Sequence, residues 1–176
     1  MNKSWIANGF TAANALFGGL SIMMSISGEY HVAAICILIA MAADAFDGRV
    51  ARALGTAGPM GVELDSLSDD ISFGVAAGAL MYSYQLRELG ALGFIPCALL
   101  GAFCAFRLAR FNVKVTSVHG YFEGLPCPTV GVIIACYVLS GVKIWNWLAM
   151  VCVLVLAVLM VSEVHLSLIH ISEPTR

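Results

Sequence analysis

Asp44, Asp47, Asp65 and Asp69 stand close together in a 176-residue chain of which only 11% is charged. A carboxylate within a membrane helix costs roughly 2.5–3.5 kcal/mol on insertion scales, so it marks a functional site by default. On a helix, Asp44, Asp47, Gly48, Ala51 and Arg52 fall at i, i+3, i+4, i+7 and i+8, which is one face. Gly61, Asp65 and Asp69 then step by four and make a second face. Converging oxygen donors without Cys or His suit Mg2+ or Mn2+. A pair of such ions about 4 Å apart clamps the attacking and leaving oxygens of an in-line displacement. Arg52 can fork onto diphosphate oxygens, and Gly48, Ala51 and Gly61 let a backbone or a bulky flat ligand approach closely. The expected chemistry is metal-assisted phosphoryl-type transfer. A purely structural pairing of Asp47 with Arg52 would leave excess negative charge that still needs cations.

The elements that must position these residues are membrane helices. The chain is 60% hydrophobic with a mean hydropathy of +0.91, beyond the range of ordinary soluble domains. Six spans are expected near 5–27, 32–54, 64–84, 89–108, 128–142 and 144–161, so the fold class is an all-α polytopic membrane protein with a six-transmembrane-helix core. The fifth is short, and Pro126 and Pro128 blur its start. An N-terminus inside places Lys3, Arg49, Arg52, Arg107, Arg110 and Lys114 on the cytoplasmic side and leaves Arg87 and Lys143 outside, as the positive-inside bias favours. The aspartates then face the cytoplasm from a multi-pass protein of the cell membrane. Trp5, Trp145 and Trp147 are expected as interfacial anchors.

Residues 1–162 are expected to form one domain, and 163–176 a non-native or truncated tail that carries no function. His165 and His170 within it are poor ligand candidates, and His119 is expected to be a solvated loop residue. The first span is too long for a cleavable signal sequence. Six scattered cysteines (36, 97, 104, 127, 136 and 152) include no C-x-x-C pair and are expected to be packing residues. Glu63 and Asp70 flank the aspartate face and are expected to meet solvent or headgroups. Asn8, Thr11 and Asn14 recur every three residues on the first helix, facing either a nucleotide or a neighbouring helix. No nucleic-acid partner is expected.

The segment Asp44–Asp69 resembles the CDP-alcohol phosphotransferase family, matching D-x-x-D-G-x-x-A-R-x8-G-x-x-x-D-x-x-x-D at every specified position. Asn8–Asn14, Leu64–Gly74, Arg107–Asn112 and Phe122–Pro128 further resemble the membrane-embedded phosphatidylserine synthases of bacteria and archaea. The resemblance implies that Asp44, Asp47, Asp65 and Asp69 are ligands to two divalent ions, with Asp69 also the proton acceptor. It places Gly48 and Arg52 at the CDP-lipid, to which the reading of the residues adds Ala51, Thr56, Gly61, Asn8 and Thr11 as candidates. It also implies CDP-diacylglycerol and L-serine as substrates, CMP and phosphatidylserine as products, and a homodimer in the lipid bilayer. Two departures stand out. Ala7 replaces a common Pro, and Gly58 replaces a common Ser or Thr, for which Thr56 is the nearby substitute.

Arg107 and Arg110, at i and i+3, are candidates for the serine carboxylate, or else anchors to headgroups. The nearest rival is the same chemistry on glycerol 3-phosphate or inositol phosphate. An intramembrane prenyltransferase would set its two aspartate motifs on widely separated helices. A divalent-cation transporter, the rival of another class, has no use for Arg52 or the Gly/Ala face.

Overall fold

A computed structural model describes residues 4–54, 58–115 and 125–162, with side chains from 9 to 49, at 58, and across 60–113 and 125–162. The described residues are helical, with no strand among them. Helix α1 runs Ser4–Ile26, α2 Tyr30–Leu54, α3 Pro59–Asp69, α4 Ala76–Tyr84, α5 Ala91–Val115, α6 Cys127–Leu139 and α7 Asn146–Val161. A π-helical segment, Asp70–Val75, joins α3 to α4, so Pro59–Tyr84 runs on with unbroken helical assignment. Among the described residues this gives six helical rods, equal in number to the spans expected.

The joints follow from local chemistry. Gly28 adopts φ 86°, and the Ser27 and Glu29 amides bond back to the Met23 and Met24 carbonyls at 3.0 and 2.9 Å, closing α1 with a left-handed glycine. Gly58 is extended and its carbonyl receives the Gly61 and Val62 amides at 3.0 and 3.2 Å. With Pro59 in the first turn, where its missing N–H costs nothing, α3 begins five residues before the expected 64. Hydropathy placed that boundary too late because Gly61 and Glu63 dilute the apolar signal. Helix α5 likewise outruns the expected 108 by a further two turns, since the polar run Arg107–Asn112 is a good helix even where it is not apolar.

Among the described residues, three helices are long and apolar enough to cross a membrane, over Gly9–Ile26, Tyr30–Arg49 and Ala91–Val113. Helices α6 and α7 are apolar but shorter, at 13 and 16 residues. At 1.5 Å per residue α6 reaches only about 20 Å, less than the ~30 Å of a hydrocarbon core.

Helix α1 packs along α2, α5 along α7, and α2 against α6, while the π segment is enclosed by α1, α5 and α6. Close approach rests on small residues. A Cβ on Gly131 of α6 would sit 2.7 Å from the Phe73 ring, and one on Gly74 would sit 2.9 Å from Cys104 Cβ. Phe73, Ile37, Leu80, Leu100 and Val130 are fully buried at the centre. The outer faces carry exposed Leu16, Met23 and Ile26 on α1 and Leu148, Val151, Val155 and Val158 on α7, an apolar surface fitted to lipid. Far from the aspartates, Gln85 donates to the Ile144 carbonyl and to Asn146 Oδ1, accepts from Tyr137 Oη, and so ties α4 to the α6–α7 joint.

Candidate active site

Helix α2 brings Asp44 and Asp47 to the turn, and α3 returns Asp65 and Asp69 beside them. The carboxylates of Asp44, Asp47 and Asp65 each offer an oxygen within 4.8 Å of the other two. Asp69 stands next to them, near enough to Asp44 and Asp65 to interact with both electrostatically. All four face inward: Asp47 and Asp69 are buried, and Asp44 and Asp65 half-buried.

Neutral donors among the described residues reach this cluster. Asp47 accepts from the Thr11 hydroxyl and the Gly48 amide, and Asp69 Oδ1 accepts from Asn14 Nδ2 at 3.0 Å. Asp47 Oδ2 and Asp65 Oδ1 are buried with no hydrogen-bond partner. Packed anionic oxygens left without donors are unfavourable unless a cation joins them. The donor set fits a hard divalent ion.

Thr11 and Asn14 thus bond across helices to Asp47 and Asp69, one of the two directions open to them in the sequence. Asn8 lies in α1, and Ala51 and Arg52 in α2, but their side chains fall outside the described residues, as do Thr56, Lys114 and His119. Gly61 is half-buried in α3. Gly48 is exposed, and a Cβ there would meet nothing within 4 Å, so helix packing is not what calls for glycine at this position. The Phe10 and Phe46 rings lie beside the aspartate turn, their centroids 6.3 Å apart.

Arg107 and Arg110 are both half-buried on α5. Arg107 Nη1 donates to Cys127 Sγ at 3.5 Å, and its Nε is buried without a partner. Cys127 in turn hydrogen-bonds Cys104 and is near enough to Asp69 to interact with it electrostatically. Arg107 thus reaches the beginning of α6 beside the aspartates. Asp70 departs from expectation: it is half-buried beside Cys104 of α5, with Oδ1 buried and lacking a hydrogen-bond partner. Glu63 is exposed, as expected. Cys104 and Cys127 are buried and do more than fill space, whereas Cys136 and Cys152 are exposed. The polar spacing of α1 hinted at Asn14, but nothing local hinted at the Arg107–Cys127–Cys104–Asp70 chain.

The fold and site define a helical protein with a carboxylate cluster fit for divalent cations. A model of the CDP-alcohol phosphatidyltransferase family matches residues 4–162. Over 137 residues the chain is 37% identical to a CDP-diacylglycerol–serine O-phosphatidyltransferase of Helicobacter pylori, covering 77% of this chain and 58% of that protein. It is 40% identical over 130 residues to the archaetidylserine synthase of Methanothermobacter thermautotrophicus, covering 73% and 55%. A CDP-diacylglycerol–serine O-phosphatidyltransferase of Bacillus subtilis is 38% identical over 122 residues, covering 69% and 68%. The chain belongs to the CDP-alcohol phosphatidyltransferase family. It spans little more than half the length of the Helicobacter and Methanothermobacter relatives.

Proposed function

We propose that this chain transfers the phosphatidyl group of CDP-diacylglycerol to the hydroxyl of L-serine, giving phosphatidylserine and CMP. The observation that carries the reading is the convergence of Asp44, Asp47 and Asp65 within 4.8 Å, with Asp69 close alongside, in a segment that falls inside the family match. The names of the relatives supply the acceptor.

Asp44, Asp47 and Asp65 would hold divalent cations, Mg2+ or Mn2+ and two in number, with Asp69 completing the set. Such ions, when bound, neutralise diphosphate oxygens and make the phosphorus a better electrophile. Gly48, Ala51, Arg52, Thr56 and Gly61, with Asn8 and Thr11 of α1, form the bed for the CDP-lipid. Gly48 leaves room at the helix surface, and Arg52 supplies a fork for the diphosphate. Asp69 takes the serine hydroxyl proton on a carboxylate oxygen as the serine oxygen bonds to the lipid-side phosphorus. The phosphoanhydride bond breaks, and CMP departs with the electron pair. A carboxylate is a weak base at neutral pH, so its placement matters more than its basicity. Arg107, with Arg110 one turn on, receives the serine carboxylate.

Residues 1–162 are read as one six-span domain in the cell membrane, its aspartate turn toward the cytoplasm as the basic residues favour. A homodimer is the assembly proposed.

The test is CMP release from CDP-diacylglycerol by the purified protein with Mn2+ or Mg2+, with and without L-serine, beside Asp69→Asn. Serine-dependent CMP that disappears in the variant supports the reaction and the base. CMP formed only with glycerol 3-phosphate or inositol phosphate keeps the chemistry and replaces the acceptor. Metal uptake into liposomes without CMP formation overturns the enzyme reading in favour of cation transport.

A further inference from the structure

The four aspartates are not equivalent. Three of them, Asp44, Asp47 and Asp65, meet around one point. The fourth, Asp69, is the one whose oxygen is held by an amide from another helix, Asn14 Nδ2 to Oδ1 at 3.0 Å. Asn14 is itself fully buried. Its own backbone carbonyl accepts the Ser72 hydroxyl at 2.9 Å, and Ser72 is fully buried three residues beyond Asp69. One turn further along α1, Gly18 packs directly on Ser72. Asn14 is thus pinned to the segment that carries Asp69 by its side chain and its main chain together.

We propose that Asn14 is a positioning residue for the transfer reaction, fixing the Asp69 carboxylate so that its second oxygen is presented to the incoming hydroxyl. The inference rests on the reading of Asp69 as the base. A neutral amide suits this task. It donates to the carboxylate without a charge of its own, so it orients Asp69 without the strong ion pair that would hold the proton off. A carboxylate with no such partner, buried beside three others, would swing on its χ2 torsion toward whichever donor or cation lay nearest. Asn14 removes that freedom from one aspartate and leaves the other three to converge. Holding an attacking group and its base in register accounts for much of catalysis, and a misplacement of about 1 Å can cost on the order of 100-fold.

The experiment compares wild type, Asn14→Leu, Asn14→Ala, Ser72→Ala and Asp69→Asn in detergent or nanodiscs. It measures kcat, the KM for CDP-diacylglycerol and L-serine, and Mn2+ affinity by titration. Asn14→Leu keeps the branching and heavy-atom count of the side chain, at a larger volume, and removes the donor; Asn14→Ala removes the donor without adding bulk. The kcat of Asn14→Leu is expected to fall about 10- to 100-fold, while both KM values stay within about threefold and the Mn2+ affinity falls much less than kcat, because three of the four ligands, Asp44, Asp47 and Asp65, are untouched. Ser72→Ala, which loosens only the main-chain anchor, should lower kcat less and in the same direction. It keeps the test decisive if the Asn14 variants do not fold. An Asn14→Leu enzyme with kcat within threefold of wild type overturns the inference alone. So does a raised KM at unchanged kcat, which would make Asn14 a substrate contact. A large loss of Mn2+ affinity would overturn it too, by making Asn14 a support of the metal ligands. A wild type that releases no CMP with any acceptor, or an Asp69→Asn variant that remains active, overturns the functional reading and this inference with it.

Discussion

The Ser72 hydroxyl donates to the Asn14 carbonyl at 2.9 Å, joining the π segment to α1 across 58 positions of sequence. Gly18 lies over the same bond, and a Cβ there would fall 2.9 Å from Ser72 Cα. Backbone cannot yield as a flexible side chain can. Gly18→Ala is therefore expected to destabilise the fold by about 1–3 kcal/mol, seen as a lower melting temperature in detergent. It should also reduce kcat, because the displaced Ser72 takes Asn14 and Asp69 with it. An unchanged melting temperature would show that α1 and the π segment are not in contact in the membrane.

Three carboxylates within 4.8 Å repel one another until a cation joins them. Asp44→Asn removes one charge, so without divalent ions the variant is expected to melt at a higher temperature than wild type. With Mn2+ the order reverses. Wild type gains about 2.7 kcal/mol at a metal concentration near 100 times its dissociation constant, whereas the variant gains little. Melting curves with EDTA and with Mn2+ measure both halves. A variant stabilised by Mn2+ as much as wild type would remove Asp44 from the ligand set.

Glycine serves two purposes here, and substitution separates them. A Cβ on Gly48 meets nothing within 4 Å, while one on Gly78 would press on the Cys97 carbonyl. Gly48→Ala should leave stability unchanged or raise it, by up to about 1 kcal/mol from helix propensity, and raise the KM for CDP-diacylglycerol. Gly78→Ala should destabilise by about 1–3 kcal/mol with the KM of the folded fraction unaltered. Melting temperature and KM, read side by side, check the contrast.

Arg107 holds Cys127 Sγ with one nitrogen and leaves Nε buried and unpaired. Arg107→Ala is expected to raise the KM for L-serine about 10- to 100-fold, since a charge-assisted hydrogen bond contributes roughly 1.5–3 kcal/mol. The KM for CDP-diacylglycerol should change by less than about threefold. Arg107→Lys should recover little, because a point charge cannot reproduce the planar fork. An unaltered serine KM would assign Arg107 to anchoring.

Much of the site was legible from spacing. The face shared by Asp44, Asp47 and Gly48, and the one shared by Gly61, Asp65 and Asp69, follow from the helical period, a local property that any short stretch carries. The helical class and the number of rods followed equally from apolar run length. The ends of the rods were less legible, since α3 starts at Pro59 and α5 continues to Val115 through residues that hydropathy alone scores as loop. Asp70 was misread because a position off the aspartate face says nothing of the neighbour packed there, which is Cys104 of α5; the π segment starts at that residue. There the Ala76 amide bonds back five residues to Ile71, and each wider turn resets the faces that follow.

The sequence by itself determined that this chain is helical and apolar, and that it presents paired carboxylates on two neighbouring helix faces. Those properties repeat every few residues and need no partner to exist. Only the tertiary structure decided that Asp44, Asp47 and Asp65 share one point, that Asn14 claims Asp69, and that Arg107 meets Cys127. Each of these depends on how one helix is rotated about its axis against another. That rotation is set by where Gly18, Gly74 and Gly131 permit close contact across tens of residues, which no local period encodes.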